Sequence, residues 1–168
     1  VAAAALNSTL YTNYPSLRVA YGTDVPRYLR LSGTSMAAAV TSGIVAVMIE
    51  AGRDSSSRRA SLTPNALKVL LEVTAFRLAQ TDLLTQGAGA INGVGAIRLA
   101  SSINAAAPIG SSWLVRTVQP VDTIGGVALD WAAEALWGER LLWGRAAFVN
   151  EPAWATAVRW GDPAVWDR

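Results

Sequence analysis

With 168 residues, 52% of them hydrophobic and 15% charged, the chain can bury the core of one domain and carry an appendage. Its net charge is +2 and no basic patch interleaved with aromatics is present, so no nucleic-acid partner is expected. With no Cys it forms no disulfides or Cys-ligated metal sites, and with no His it lacks the side chain that acts as a base at neutral pH.

The first 31 residues read as strand-like. Val1-Ala2-Ala3-Ala4-Ala5-Leu6 fits either a helix or a linker of small residues, and Asn7 reads as a turn residue. Thr9–Thr12 and Leu17–Tyr21 have strand composition, with turns at Pro15-Ser16 and across Gly22–Pro26. Arg27–Leu31, again strand-like, runs into Gly33, Thr34 and Ser35. An apolar helix then covers about Met36–Ala51, with Gly52 as its stop. That order puts Ser35 at a helix N-terminus, where free N–H groups and the positive dipole end favour developing negative charge. Gly33 allows a tight turn and keeps side chains away from whatever approaches the hydroxyl. The same residues also fit a plain Ser cap on a buried Ala/Val helix, which needs no chemistry. A Gly-x-Ser-x-Gly elbow fits less well, because Ala37 stands at its second Gly.

The segment Gly33-Thr34-Ser35-Met36-Ala37-Ala38, entered from a strand and continued by a small-residue helix with Gly43, resembles the nucleophile segment of subtilisin-like serine proteases. The resemblance implies that Ser35 is the catalytic nucleophile and that its own N–H helps bind the oxyanion, with Thr34 and Gly33 in support. It also implies a short antiparallel pair before the nucleophile. The family's Pro-His-Val after the Ala pair is replaced by Ala39-Val40-Thr41, a departure that bears on local helix shape more than on chemistry.

The helix is apolar nearly all round, so burial between other layers is expected. Its apolar run, Met36–Ile49, is 14 residues long and too short to span a bilayer. A polar loop, Arg53–Arg59, follows. Thr63 then caps a helix with Pro64 at its first position and with Leu67, Leu70, Leu71 and Thr74 on one face. Gln86–Asn92 reads as a Gly-rich packing turn into a last helix from Val94 to about Ile103, since no Lys-Ser/Thr follows to make it a phosphate loop. Both segments, in this order, again resemble the family.

Composition shifts to linker character over residues 105–112. All seven Trp lie beyond it, at 113, 131, 137, 143, 154, 160 and 166, and two runs of three are spaced by six residues. In an extended chain a six-residue period turns every Trp the same way, whereas on a helix it scatters them. An extended aromatic ribbon is expected, with stacking on sugar or peptidoglycan as a second reading and a disordered linker as a third.

The expected organisation is therefore α/β. Residues 1–104 would be the C-terminal part of a subtilisin-like three-layer fold with a mostly parallel sheet, 105–112 a linker, and 113–168 a Trp-Gly repeat extension. The expected function is a serine endopeptidase acting on protein or peptide substrates through an acyl-enzyme on Ser35. Its Asp and His would come from upstream sequence, and this chain alone would be inactive. The alternative is a non-catalytic binding protein that keeps the fold and uses the Trp repeat on a surface or glycan. No cofactor is identifiable from the residues, no membrane span is expected, and calcium enters by resemblance only. Resemblance also suggests an extracellular or cell-envelope location.

Overall fold

The computed structural model describes residues 2–55, 61–137, 140–143 and 147–155. Two compact units divide the chain, residues 1–43 and 44–168.

In residues 1–43 the strands are short. β1 (Ala2–Ala3) and β2 (Arg18–Val19) flank β3 (Tyr28–Leu29), and both pairings are antiparallel, as the resemblance implies for the segment before the nucleophile. Asn7 lies in a turn. Thr9–Thr12 departs from its strand composition and forms helix α1 (Thr9–Asn13). Ser8 caps it by accepting from the Tyr11 N–H at 3.3 Å. The buried Tyr11 ring is held from two sides, its hydroxyl donating to Pro26 O at 2.7 Å and the Arg18 guanidinium lying 4.2 Å from its centroid. A cap and a buried anchor outweigh a β-propensity that spans only about 1 kcal/mol. α2 (Thr34–Ser55) begins in this unit and continues into the next.

α2 corrects two expectations. It is 22 residues long, and its stretch Thr34–Arg53 is long and apolar enough, by length and composition, to cross a membrane. It is also largely exposed, with Val40 and Val47 at 59% and 50%. Among the described residues only its C-terminal half is packed: Met48 is fully buried, and Ile44, Val45 and Ile49 lie against the core of the second unit. Gly52 does not stop the helix. It is buried within it, where an added Cβ would sit 3.0 Å from Leu62 Cδ1, so it serves close packing.

In residues 44–168, α3 (Pro64–Thr74) lies at the centre, against α5 (Gly93–Ala100), α6 (Pro152–Ala155) and β6 (Glu134–Trp137). Thr63 caps α3 as expected, accepting from the Ala66 N–H at 3.0 Å, and Leu67, Leu70 and Thr74 are buried on one face. A short helix not foreseen in the sequence, α4 (Leu83–Gln86), is capped by Asp82. Asn92 caps α5 by accepting from the Gly95 N–H at 2.9 Å. Gly89 has φ 120° and places the Phe76–Ala90 backbone pair so closely that an added Cβ would lie 2.3 Å from Phe76 O. Gly89→Ala is therefore expected to cost at least 1–3 kcal/mol of stability, in line with backbone strain and overpacking. An unchanged thermal midpoint would refute this account of the turn.

Two antiparallel hairpins complete the unit, β4 (Val121–Ile124) with β5 (Val127–Asp130) and β6 with β7 (Arg140–Trp143). Every strand pairing among the described residues is antiparallel, so the mixed α/β content agrees with the expected class while a parallel sheet is not among them. The Trp segment is not one ribbon. Trp137 and Trp143 end the two strands of one hairpin, and Trp154 lies on a helix because Pro152 begins a turn of α6 there. Trp160 and Trp166 lie outside the described residues. Trp113, Trp131 and Trp154 are buried in one core with Leu67, Leu70, Leu99 and Ile103. Residues 105–112, linker-like in composition, contribute the buried Ala107 to that core.

Candidate functional site

The Ser35 segment is built by the turn that opens α2. Gly33 has φ 156°, an angle that residues with a Cβ rarely adopt. Its carbonyl accepts from the N–H groups of Met36 and Ala37, both at 3.1 Å, which starts the helix immediately beyond it. Thr34 and Ser35 are then the first two helical residues, and their N–H groups precede the first intrahelical acceptor. Gly33, Thr34 and Ser35 are all exposed. Among the described residues neither the Ser35 hydroxyl nor its N–H has a hydrogen-bond partner.

This arrangement offers an accessible hydroxyl beside a free main-chain donor at the positive end of a 22-residue helix. Such a donor can meet an oxyanion. It offers no imidazole base, because the chain contains no His. The small residues after Ser35 keep this end of the helix slim. Thr41 and Ser42, which follow them, return their hydroxyls to Ala37 O and Ala38 O at 2.9 Å, so their donors are spent on the helix itself.

No group of three or more His, Cys, Asp or Glu side chains gathers among the described residues. Asp82 has its carboxyl held below the ordinary range, mainly by the Thr85 hydroxyl and then by the Thr85 N–H, but it is a fully exposed helix cap. A hollow lined by Thr63, Trp113, Asn150 and Trp154 carries no titratable side chain.

The sequence reading missed a buried polar cluster in the second unit. Asp122 Oδ2 accepts from Asn92 Nδ2 and from Trp131 Nε1, both at 2.7 Å, and its Oδ1 lies 3.1 Å from Arg98 Nη1. Asn92 was legible as an approach to a helix. Asp122 was not, since one acid among Val, Thr and Ile carries no motif.

The model of the subtilase family (peptidase S8) matches residues 6–96 of the chain, a span that includes Gly33, Thr34 and Ser35. No curated protein and no solved structure matches it.

Proposed function

Because the chain belongs to the subtilase family, we propose that it is the nucleophile-bearing part of a serine endopeptidase. Ser35 Oγ attacks the scissile peptide carbonyl, and the tetrahedral oxygen is met by the Ser35 N–H at the start of α2. A general base takes the Ser35 proton and gives it to the amine that leaves as the peptide C–N bond breaks. Water then hydrolyses the acyl-enzyme to free the acid and Ser35. The general base and the acid that orients it come from outside these 168 residues, since the composition contains no His. Thr34 and Gly33 shape the approach to Ser35. The observation that carries the reading is the exposed, unpartnered Ser35 hydroxyl at the first turn of a long helix, inside the family-matched span.

The membrane-length apolar stretch is read as a packing helix. Its buried Met48 and Gly52 face protein atoms, although little of the stretch is buried in all.

The test uses a fluorophosphonate probe on the intact enzyme. Labelling is expected at Ser35, and labelling at another Ser would remove the assignment. The purified 168-residue chain is expected to show no peptidase turnover above background, measured on a quenched casein substrate. Turnover that Ser35→Ala abolishes would refute an external base.

The absence of His supports a second reading, a binding protein of this family that has no triad. Failure of the intact protein to take the probe at any Ser, with its fold verified, would favour that reading.

A further inference from the structure

The family match ends at residue 96, yet the helices just before and across that point are completed by chain beyond it. Every helix leaves orphan N–H groups at its start and orphan carbonyls at its end. At the end of α3, Val73 O and Ala75 O accept from the N–H groups of Ala133 at 3.0 Å and Ala132 at 2.7 Å. At its start, the capping Thr63 hydroxyl donates to Trp154 O, and Asn65 Nδ2 donates to Ala153 O at 2.7 Å. Both ends of α3 are thus bonded to residues past 130.

α5 is held at its N-cap, in its last turn and just beyond its end. At its N-cap, Asn92 donates to Asp122 at 2.7 Å. In its last turn, Arg98 pairs with Asp122 and donates to Gln119 O at 3.1 Å and Val121 O at 2.7 Å. At its end, Arg116 reaches Ser102 Oγ at 2.8 Å and Ser101 Oγ at 2.5 Å. Gly95 makes room for this grip. A Cβ there would lie 2.4 Å from Asn92 Nδ2 and 2.7 Å from Asp122 Oδ2. The Trp131 indole closes the cluster, donating to Asp122 at 2.7 Å with the Arg98 guanidinium 5.0 Å from its ring.

We infer that the face formed by α3 and α5 is an interaction surface whose partner is the chain's own residues 105–137 and 147–155, a clasp with Asp122 as its central acceptor. The clasp and the two helices open together, and the segment is not a separable appendage. Asp122 is the centre because it is 8% exposed and bonded to three side chains, one of them cationic, from two parts of the chain. A buried carboxylate loses far more on losing such partners than an exposed one. This inference does not depend on the protease reading.

The experiment places a site-specific protease sequence in the exposed loop at Ile109-Gly110 of the 168-residue chain. After cutting, the two pieces are expected to co-elute in native size exclusion and to separate only in denaturant. Separation without denaturant would overturn the clasp. Amide hydrogen exchange in the uncut chain provides the second arm. Asp122→Leu is expected to raise exchange at least tenfold in both α5 and the β4–β5 hairpin. A rise confined to the hairpin would overturn the inference. If Asp122→Leu fails to fold, Asp122→Asn keeps one oxygen as acceptor for Asn92 and Trp131 and replaces the charged oxygen facing Arg98 with an NH2 donor. Its smaller rise must still appear in both elements, and α5 unchanged beside a faster hairpin would be the refuting result.

Discussion

Replacing Ser35 with Ala in the intact enzyme is expected to abolish peptide hydrolysis while leaving the fold in place. Loss of a triad nucleophile costs on the order of 10⁶ in kcat, since the acyl-enzyme proposed above forms on the Ser35 oxygen. The structural cost is small by comparison. Ser35 is exposed and has no side-chain hydrogen bond among the described residues, so its removal creates no cavity and orphans no buried donor. Ala also has the best helix propensity, which offsets part of whatever the hydroxyl contributed at the helix start. The measurement is kcat on a peptide substrate beside a thermal midpoint. A variant that retains more than about a hundredth of the activity would show that Ser35 is not the nucleophile. A variant that loses activity and fold together would leave the loss to unfolding, so Ser35→Thr, which keeps a hydroxyl, is made alongside it. Intact activity in Ser35→Ala is the outcome that sinks the reading.

How far the sequence could be read depends on whether the signal was local. Thr63-Pro64 before a run of Leu is a complete instruction for a helix start, and α3 begins there. Gly33 before Thr34-Ser35 marked the turn into α2 for the same reason, since one backbone angle and one small residue settle it. Thr9–Thr12 misled because its strand composition was opposed by a Ser cap and by the Tyr11–Arg18 contact, neither of which composition records. Gly52 misled because a Gly that makes room for Leu62 looks, in sequence, the same as a Gly that ends a helix. The exposure of α2 was out of reach for a different reason. An all-round apolar pattern says what a helix would bury and nothing about which other residues are there to cover it. The candidate site was legible as a hydroxyl and one main-chain donor at a helix start. The Asp122 cluster joins positions 30 residues apart, and no spacing rule connects Asn92 to Asp122.

The largest stability effect is expected at Trp154. It is 1% exposed, its indole N–H donates to Val149 O at 3.0 Å, and its ring lies 6.0 Å from that of Trp113 at an interplanar angle of 35°. Its carbonyl also receives the Thr63 hydroxyl at the start of α3. Trp154→Ala keeps that carbonyl but empties the space between α3 and the Trp113 ring. Truncating a buried Trp to Ala costs about 3–5 kcal/mol, and a domain of this kind has only about 5–15 kcal/mol in total. Urea unfolding should show a midpoint lowered by about a fifth or more with little change in slope. The fluorescence of the same samples reports on the same region, because every Trp of the chain lies at or beyond 113. Wild-type emission should be blue-shifted, from the buried rings at 113, 131 and 154. The variant should also lose the contact that orders Trp113. Trp154→Phe, which refills most of the space without the indole donor, should recover part of the midpoint. A shift below about 1 kcal/mol for Trp154→Ala is the size of a surface change. It would mean that α6, which carries Trp154, does not pack on α3.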